Sequence, residues 1–183
     1  CNSTVVEKGL YYELNNQKYL WAGNNTHFNI TNWSSNECYL RGGLGRENFK
    51  ALLSPQFVPI DSVINEYNDI EKALVLKGNN VIKIYPNNTL REYETINDMI
   101  DGVKVIVVHC FLANLTAVYK VNYCDMDLTF AVSGYTYRNP NSDEALESFL
   151  LWDRETESLW WPIIDRAVSG PLIGKSLIKY KIG

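Results

Sequence analysis

Phe149-Leu150-Leu151-Trp152, then Asp153-Arg154-Glu155-Thr156, then Glu157-Ser158-Leu159-Trp160-Trp161 is the stretch that decides the fold. Two short apolar, aromatic-rich runs flank a polar corner. Each run is too short for a helix of ordinary length, and the corner carries turn-forming residues, so the stretch reads as a β-hairpin. Successive strand residues point to opposite sides, which places Trp160 and Trp161 on opposite faces of one sheet.

Working outward, the same signal recurs. Val103–His109, Leu115–Val121 and Leu128–Val132 are apolar runs of strand length, and Ser148–Trp152 begins the hairpin itself. Ala73-Leu74-Val75-Leu76 and Val81-Ile82-Lys83-Ile84-Tyr85 flank Gly78-Asn79-Asn80, a second hairpin. Leu10-Tyr11-Tyr12-Glu13-Leu14 and Tyr19-Leu20-Trp21 flank Asn15-Asn16, a third. A last strand covers Ser176 to Tyr180. Residues 23–46 are rich in Asn, Ser and Gly and read as loop with at most a short strand. Helix is expected over Glu47–Leu53, stopping before Pro55, and over Ser62–Tyr67 with Asp61 as N-cap. Thr89–Asp98 reads as a third helix or helical turn. Consecutive strands joined by short turns pair antiparallel. The expected fold class is therefore α+β and β-rich: mostly antiparallel sheet or a partial barrel, with two or three short helices.

The chain has 183 residues, 46% of them hydrophobic and 13% aromatic, including 12 Tyr and 5 Trp. That suits one globular domain, expected over 9–183, behind a polar tether at 1–8. The net charge of −4, without a basic stripe, speaks against nucleic acid as partner. Val103-Lys104-Val105-Ile106-Val107-Val108 is the longest apolar run and is far too short to span a bilayer.

The chain starts at Cys1, followed by Asn-Ser-Thr-Val-Val-Glu-Lys. Bacterial lipoproteins are cut directly before a cysteine whose sulfur is then acylated. Cys1 is thus expected to carry a lipid, each buried methylene adding roughly 0.8 kcal/mol of membrane affinity. On this reading the membrane is a partner only through the anchor, and the protein sits outside the cytoplasm on a bacterial envelope. A disulfide is permitted there among Cys38, Cys110 and Cys124. The pair Cys110–Cys124 is geometrically plausible, and the sequence leaves the pairing open. N-x-S/T sequons occur at Asn2, Asn24, Asn29, Asn32, Asn87 and Asn114, but the chain is rich in Asn and chance accounts for most of them.

Several motifs resemble sites and fall short. Gly170-Pro171-Leu172-Ile173-Gly174-Lys175-Ser176 has three residues between its glycines where a phosphate loop needs four, and no helix follows. Gly43-Leu44-Gly45 lacks the third glycine of a dinucleotide fingerprint. Only His27 and His109 could serve a Ser-His-Asp triad. The first lies in a polar loop, and the second ends an apolar strand as a satisfied core or edge residue. No cofactor or metal is expected. The more promising polar groups are Glu94, Asp98, Asp153 and Arg154. Paired carboxylates can share acid and base roles on a glycosidic bond, and Arg beside Asp can hold a planar anion. The plainer reading has Asp153 capping its turn and Arg154 bracing it.

These residues also carry a resemblance. Phe130-Ala131-Val132-Ser133-Gly134, Trp152-Asp153-Arg154-Glu155-Thr156-Glu157-Ser158-Leu159-Trp160 and Ala167-Val168-Ser169-Gly170-Pro171-Leu172-Ile173-Gly174 follow, in order, the closing motifs of the family called domain of unknown function 3179. Gly43-Leu44-Gly45-Arg46-Glu47 with Pro55-Gln56-Phe57-Val58 resembles its entry segment, and Ala73–Pro86 its hairpin. Glu94, Asn97 and Asp98 match its Leu-x-x-His-Glu-x-x-Asn-Asp segment, with Tyr93 at the histidine place. Cys110 matches the first cysteine of its Cys-Pro-Leu-Cys-Gly segment, whose proline and second cysteine are absent here. The resemblance covers roughly residues 41–178. It implies a secreted or envelope protein with no established reaction.

Together these readings give a candidate cleft made of Glu94, Asn97, Asp98, Cys110, Ser133, Gly134, Asp153, Arg154, Thr156, Ser158, Trp160, Gly170, Pro171 and Gly174, with no catalytic residue assigned. The expected function is an envelope lipoprotein that binds a ligand or partner without catalysis. One alternative is a hydrolase acting on glycans through Glu94, Asp98 and Asp153. Another is metal handling through Cys110 and Cys124, against which strand alternation sets His109 and Cys110 on opposite faces.

Overall fold

The computed structural model describes residues 3–67, 71–138 and 146–181. A short helix α1 (Thr4–Glu7) leads into β1 (Tyr11–Leu14), β2 (Gln17–Gly23) and β3 (Thr26–Asn29). Next come β4 (Leu40–Gly42), β5 (Leu52–Leu53) and the hairpin of β6 (Ala73–Lys77) and β7 (Ile82–Pro86). Helix α2 (Asn87–Tyr93) precedes β8 (Thr95–Ile100), β9 (Val103–Cys110) and β10 (Leu115–Lys120). After the small hairpin β11 (Asn122–Tyr123) and β12 (Met126–Asp127) come β13 (Phe130–Arg138), β14 (Glu147–Asp153), β15 (Leu159–Trp161), β16 (Arg166–Ser169) and β17 (Ile178–Lys179).

Two five-stranded sheets form the centre, one ordered β16-β15-β14-β13-β4 and the other β17-β10-β9-β8-β5. Both stay open, so no closed barrel forms among the described residues. The sequence explains why they stack. Along β9, Ile106, Val108 and Cys110 face the other central sheet, and Val105 and Val107 face away. Along β14, Phe149 and Leu151 face β9 and β10, whereas Leu150 and Trp152 face the β1–β3 sheet. An apolar run buried on both faces needs a partner on each. The outcome is three apolar layers. The β1–β3 sheet covers one side, the two central sheets meet in the middle, and the β6–β7 hairpin with α2 covers the far side. Trp160 lies in the middle layer and Trp161 in the outer one, as alternation requires. Each large side chain fully buried there stabilises the fold by about 2–3 kcal/mol.

The Phe149–Trp161 hairpin forms as expected, and its strands pair with Leu151 opposite Trp160 and Trp152 opposite Leu159. Elsewhere the structure departs from expectation. No helix forms over Glu47–Leu53. Glu47 is left-handed, and Leu52 and Leu53 instead pair parallel to Ile96 and Asn97. Residues 60–66 hold two 3-10 turns in place of one helix. The helix expected over Thr89–Asp98 ends at Tyr93, where Glu94 turns left-handed (φ 56°) and releases the chain into β8. The polar start is not a tether from Ser3 onward. Ser3 caps α1, and Val5 is fully buried in the first core layer. Cys1 lies outside the described residues. Cys110 and Cys124 are free thiols at opposite ends of β10, so the pair between them does not form, and Cys38 is disulfide-bonded.

Candidate functional site

A cleft of about 560 Å³ opens beside β8, between the chain at Leu53–Gln56 and the corner where Thr129 meets Glu155. Its position follows from the short reach of β5, which pairs with only two residues of β8 and then leaves through Ser54 (φ 52°) and Pro55. Leu53, Met99, Val121 and Leu128 supply apolar lining, and Ser54, Gln56, Asn97 and Thr129 supply neutral hydrogen-bonding groups.

Five charges line the cleft. Asp98 accepts from Lys83 Nζ at 2.7 and 2.9 Å, from the Tyr85 hydroxyl at 2.6 Å and from the Met99 amide at 2.7 Å. Lys83 also donates to the Met99 carbonyl at 2.8 Å and lies 4.5 Å from the centre of the Phe57 ring. Its three protons are thus committed. Burial and the adjacent Asp98 hold the Tyr85 hydroxyl firmly protonated. Asp127 pairs with Lys104 at 2.7 Å and accepts from Asn122 at 2.9 Å, and these bonds hold its carboxyl below the usual range. Glu155 accepts the Thr129 amide on one oxygen at 2.7 Å, and no bond to its other oxygen occurs among the described residues.

The Asp153 turn is closed. Asp153 is fully buried and accepts from the Thr156 amide at 2.7 Å, the Thr156 hydroxyl at 2.7 Å and the Trp160 indole at 2.7 Å. Burial pushes its carboxyl up, and these donors pull it back. The Thr156 hydroxyl also bonds the Ser158 hydroxyl at 2.7 Å, which in turn accepts from the Leu172 amide at 3.0 Å. Gly170 fits against this network: a Cβ there would stand 2.6 Å from Ser158 Cα. Its amide and carbonyl are both bonded by Asn32. Pro171 continues that turn, and Gly174 closes it by donating to the Ala167 carbonyl at 2.9 Å. Arg154 pairs with Glu47 at 2.7 Å. Ser133 and Gly134 form a bulge in β13, where four steps along β13 match two along β14. There Gly134 (φ 84°) presses on Gly45, and its carbonyl accepts the Gly43 and Leu44 amides. These residues tie turns to one another, and apart from Glu155 the corner contributes nothing to the cleft wall.

A third polar group lies at the far end of β8. Glu94 is 4% exposed and makes no side-chain hydrogen bond among the described residues, and burial raises its carboxyl to about 7. The buried Thr95 hydroxyl also lacks a partner among the described residues. Cys110 is fully buried. Burial pushes its thiol up, while the amides of Phe149, Ala113 and Leu112 pull the other way. His109 bonds the Thr116 hydroxyl through Nδ1 at 2.9 Å, and burial, with Arg91 nearby, pushes its imidazole below the usual range. Among the described residues no three His, Cys, Asp or Glu side chains come together to hold a metal ion.

The expected site residues are thus split three ways. Asn97 and Asp98 line the cleft, Glu94 and Cys110 lie beyond it, and the remainder hold the turns of the β13–β16 sheet. The reading of the sequence missed Lys83, Lys104, Asp127, Glu155 and Gln56, which come from distant segments. Only Glu155 carried a signal, its place in the corner of the deciding hairpin.

Among the described residues no helix is long and apolar enough to cross a membrane. A family described as "Protein of unknown function (DUF3179)" matches residues 46–182. No curated protein and no solved structure matches the chain.

Proposed function

The chain belongs to the DUF3179 family, and we propose that it is a non-catalytic binding domain of an extracytoplasmic bacterial protein, with the cleft beside β8 as its binding face. The observation that carries this reading is the saturation of the carboxylates. Asp98 and Asp127 are each bound by a lysine and a second donor, and Asp153 is buried with both oxygens bonded. A general acid or base must reach the proton it moves. Glycan hydrolysis through Glu94, Asp98 and Asp153 therefore finds no exposed pair. The cleft retains what binding needs: an apolar wall, neutral hydrogen-bonding groups and a shape open to solvent.

A polar-fragment library screened by thermal shift tests this. Gln56 is exposed at the cleft, and Gln56→Trp fills the opening without entering the core. Fragments should stabilise the native protein and lose that effect in Q56W. Equal stabilisation of both proteins contradicts the reading. The disulfide at Cys38 supports an oxidising compartment. Peptide mapping of the native protein by mass spectrometry without reduction tests the compartment: Cys38 recovered in a disulfide supports it, and Cys38 recovered as a free thiol contradicts it.

A further inference from the structure

The β1–β3 sheet turns Leu20, Ala22 and Phe28 into the core. By register and alternation its other face carries Tyr12, Tyr19 and Asn29 in one row across the three strands, and Trp21 opposite His27 in the next. A sheet with one solvated face ordinarily turns polar residues outward, so this concentration of rings needs a reason. We propose that the outward face of the β1–β3 sheet is a carbohydrate platform. It takes an uncharged, ribbon-like oligosaccharide whose sugar rings lie on Tyr12, Tyr19 and Trp21. The platform shares no residue with the cleft beside β8 and stands independently of the role proposed for that cleft.

The rings form one surface. Tyr12 stacks on Tyr19 with centroids 5.2 Å apart and planes 17° from parallel, and it meets His27 edge-on at 5.2 Å. All are half-buried, and among the described residues no ring from another element touches them. Strands lie about 4.8 Å apart and alternate residues about 7 Å along a strand, so the two rows hold more than one sugar ring. A pyranose presents a flat face of slightly positive C–H groups, and the faces of aromatic rings are negative. The polar edges of the platform are uncommitted. The Tyr12 hydroxyl, the Trp21 indole N–H, the His27 imidazole and the Asn29 side-chain nitrogen make no hydrogen bond among the described residues. By contrast the Tyr19 hydroxyl donates to Gln17, and Asn29 Oδ1 accepts from the Thr31 hydroxyl at 2.7 Å. Sugar hydroxyls bond groups of the uncommitted kind. No Asp, Glu, Lys or Arg stands on this face, so an ionic ligand finds no partner there. A sheet face suits an extended sugar chain better than a proline-rich peptide, whose recognition uses aromatic-lined grooves. The sheet also precedes residues 46–182, which the family matches, and no residue of this face belongs to the family motifs.

Four probes separate the possibilities: cellopentaose, a flat ribbon; maltopentaose, which curls; tetragalacturonate, which is charged; and a decaproline peptide. Each is titrated into ¹⁵N-labelled full chain at pH 7. Cellopentaose should shift the Trp21 indole resonance and the Tyr12 and Tyr19 amides saturably, at least tenfold more tightly than the other three. Trp21→Phe keeps a ring and should bind within about threefold of the native protein. Trp21→Thr places a β-branched residue suited to a strand and should weaken binding at least tenfold, with the β9 amide resonances unmoved. Tyr12→Thr gives the same reading on a different strand should W21T fail to fold. The proposal is overturned if no probe moves these resonances, or if any of the other three binds as tightly as cellopentaose. It is equally overturned if W21T, or Y12T in its place, binds like the native protein. Failure here leaves the cleft untouched, because the two faces have no residue in common.

Discussion

Glu94 shows how one residue can set the pH response of the fold. Its carboxyl is raised by burial from an ordinary value near 4.5 to about 7, with no donor among the described residues to hold it ionised. Below pH 4.5 the residue is neutral in both folded and unfolded chains, and its packing is uncharged. Between 4.5 and 7 the unfolded chain gives up the proton and the folded chain keeps it, so stability falls as pH rises, and the loss is complete above 7. The loss is at most about 3 kcal/mol. Glu94→Gln should flatten this slope and leave the variant more stable than the native protein at pH 8, as read by urea unfolding at several pH values. An unchanged slope in E94Q would contradict the assignment. At this scale the sequence was partly legible. Asp153 was read as a turn cap, and it caps Thr156. The bonding of Trp160 to Asp153 was hidden, because it depends on the hairpin bringing β15 back alongside β14. The solitude of Glu94 was hidden too, since a missing partner leaves no mark in the residue order.

Among the elements, Asn97 joins two sheets. It sits on β8, donates to the Phe130 carbonyl at 2.9 Å and accepts the Phe130 amide at 2.9 Å, so β8 is bonded to β13 through a side chain. Asn97→Ala should cost about 2–3 kcal/mol, because two backbone groups of Phe130 lose their partner in a partly buried place. Hydrogen exchange should then speed up at Phe130 more than at the centre of β9, and an unperturbed Phe130 amide would contradict the bridge. Strands whose two faces are both buried were readable from their unbroken apolar runs, as in Val103–Cys110. The helix expected over Glu47–Leu53 failed because Leu52 and Leu53 find a parallel partner in β8, more than forty positions along the chain by their numbering. Local propensity carries no information about such a partner. The helix at Thr89 ran too far in the reading because the left-handed turn at Glu94 is uncommon for a residue with a side chain. The β-branched pair Thr95-Ile96 was the available sign that a strand begins there.

Across the whole molecule, three apolar layers fix where polar groups can gather. One end of the β13–β16 sheet is closed by glycine contacts and by the pairs Arg46–Glu157 and Arg154–Glu47, and Arg46 also lies over the Phe28 and Trp152 rings. That end carries most of the motifs by which the family resemblance was drawn, and their local role is to hold turns. The cleft arises instead where the short β5 leaves the β8 edge uncovered, and its charges come from five separate stretches of chain. Family motifs therefore pointed to the architecture better than to the binding face. A crystallographic fragment screen, with about a hundred small polar compounds soaked into crystals of the full chain, separates the two most directly. Bound fragments should gather in the cleft beside Glu155 and Gln56, leaving the Asp153 turn and the Glu94–Cys110 end empty. Fragments gathered at either of those places, with the cleft bare, would contradict the account.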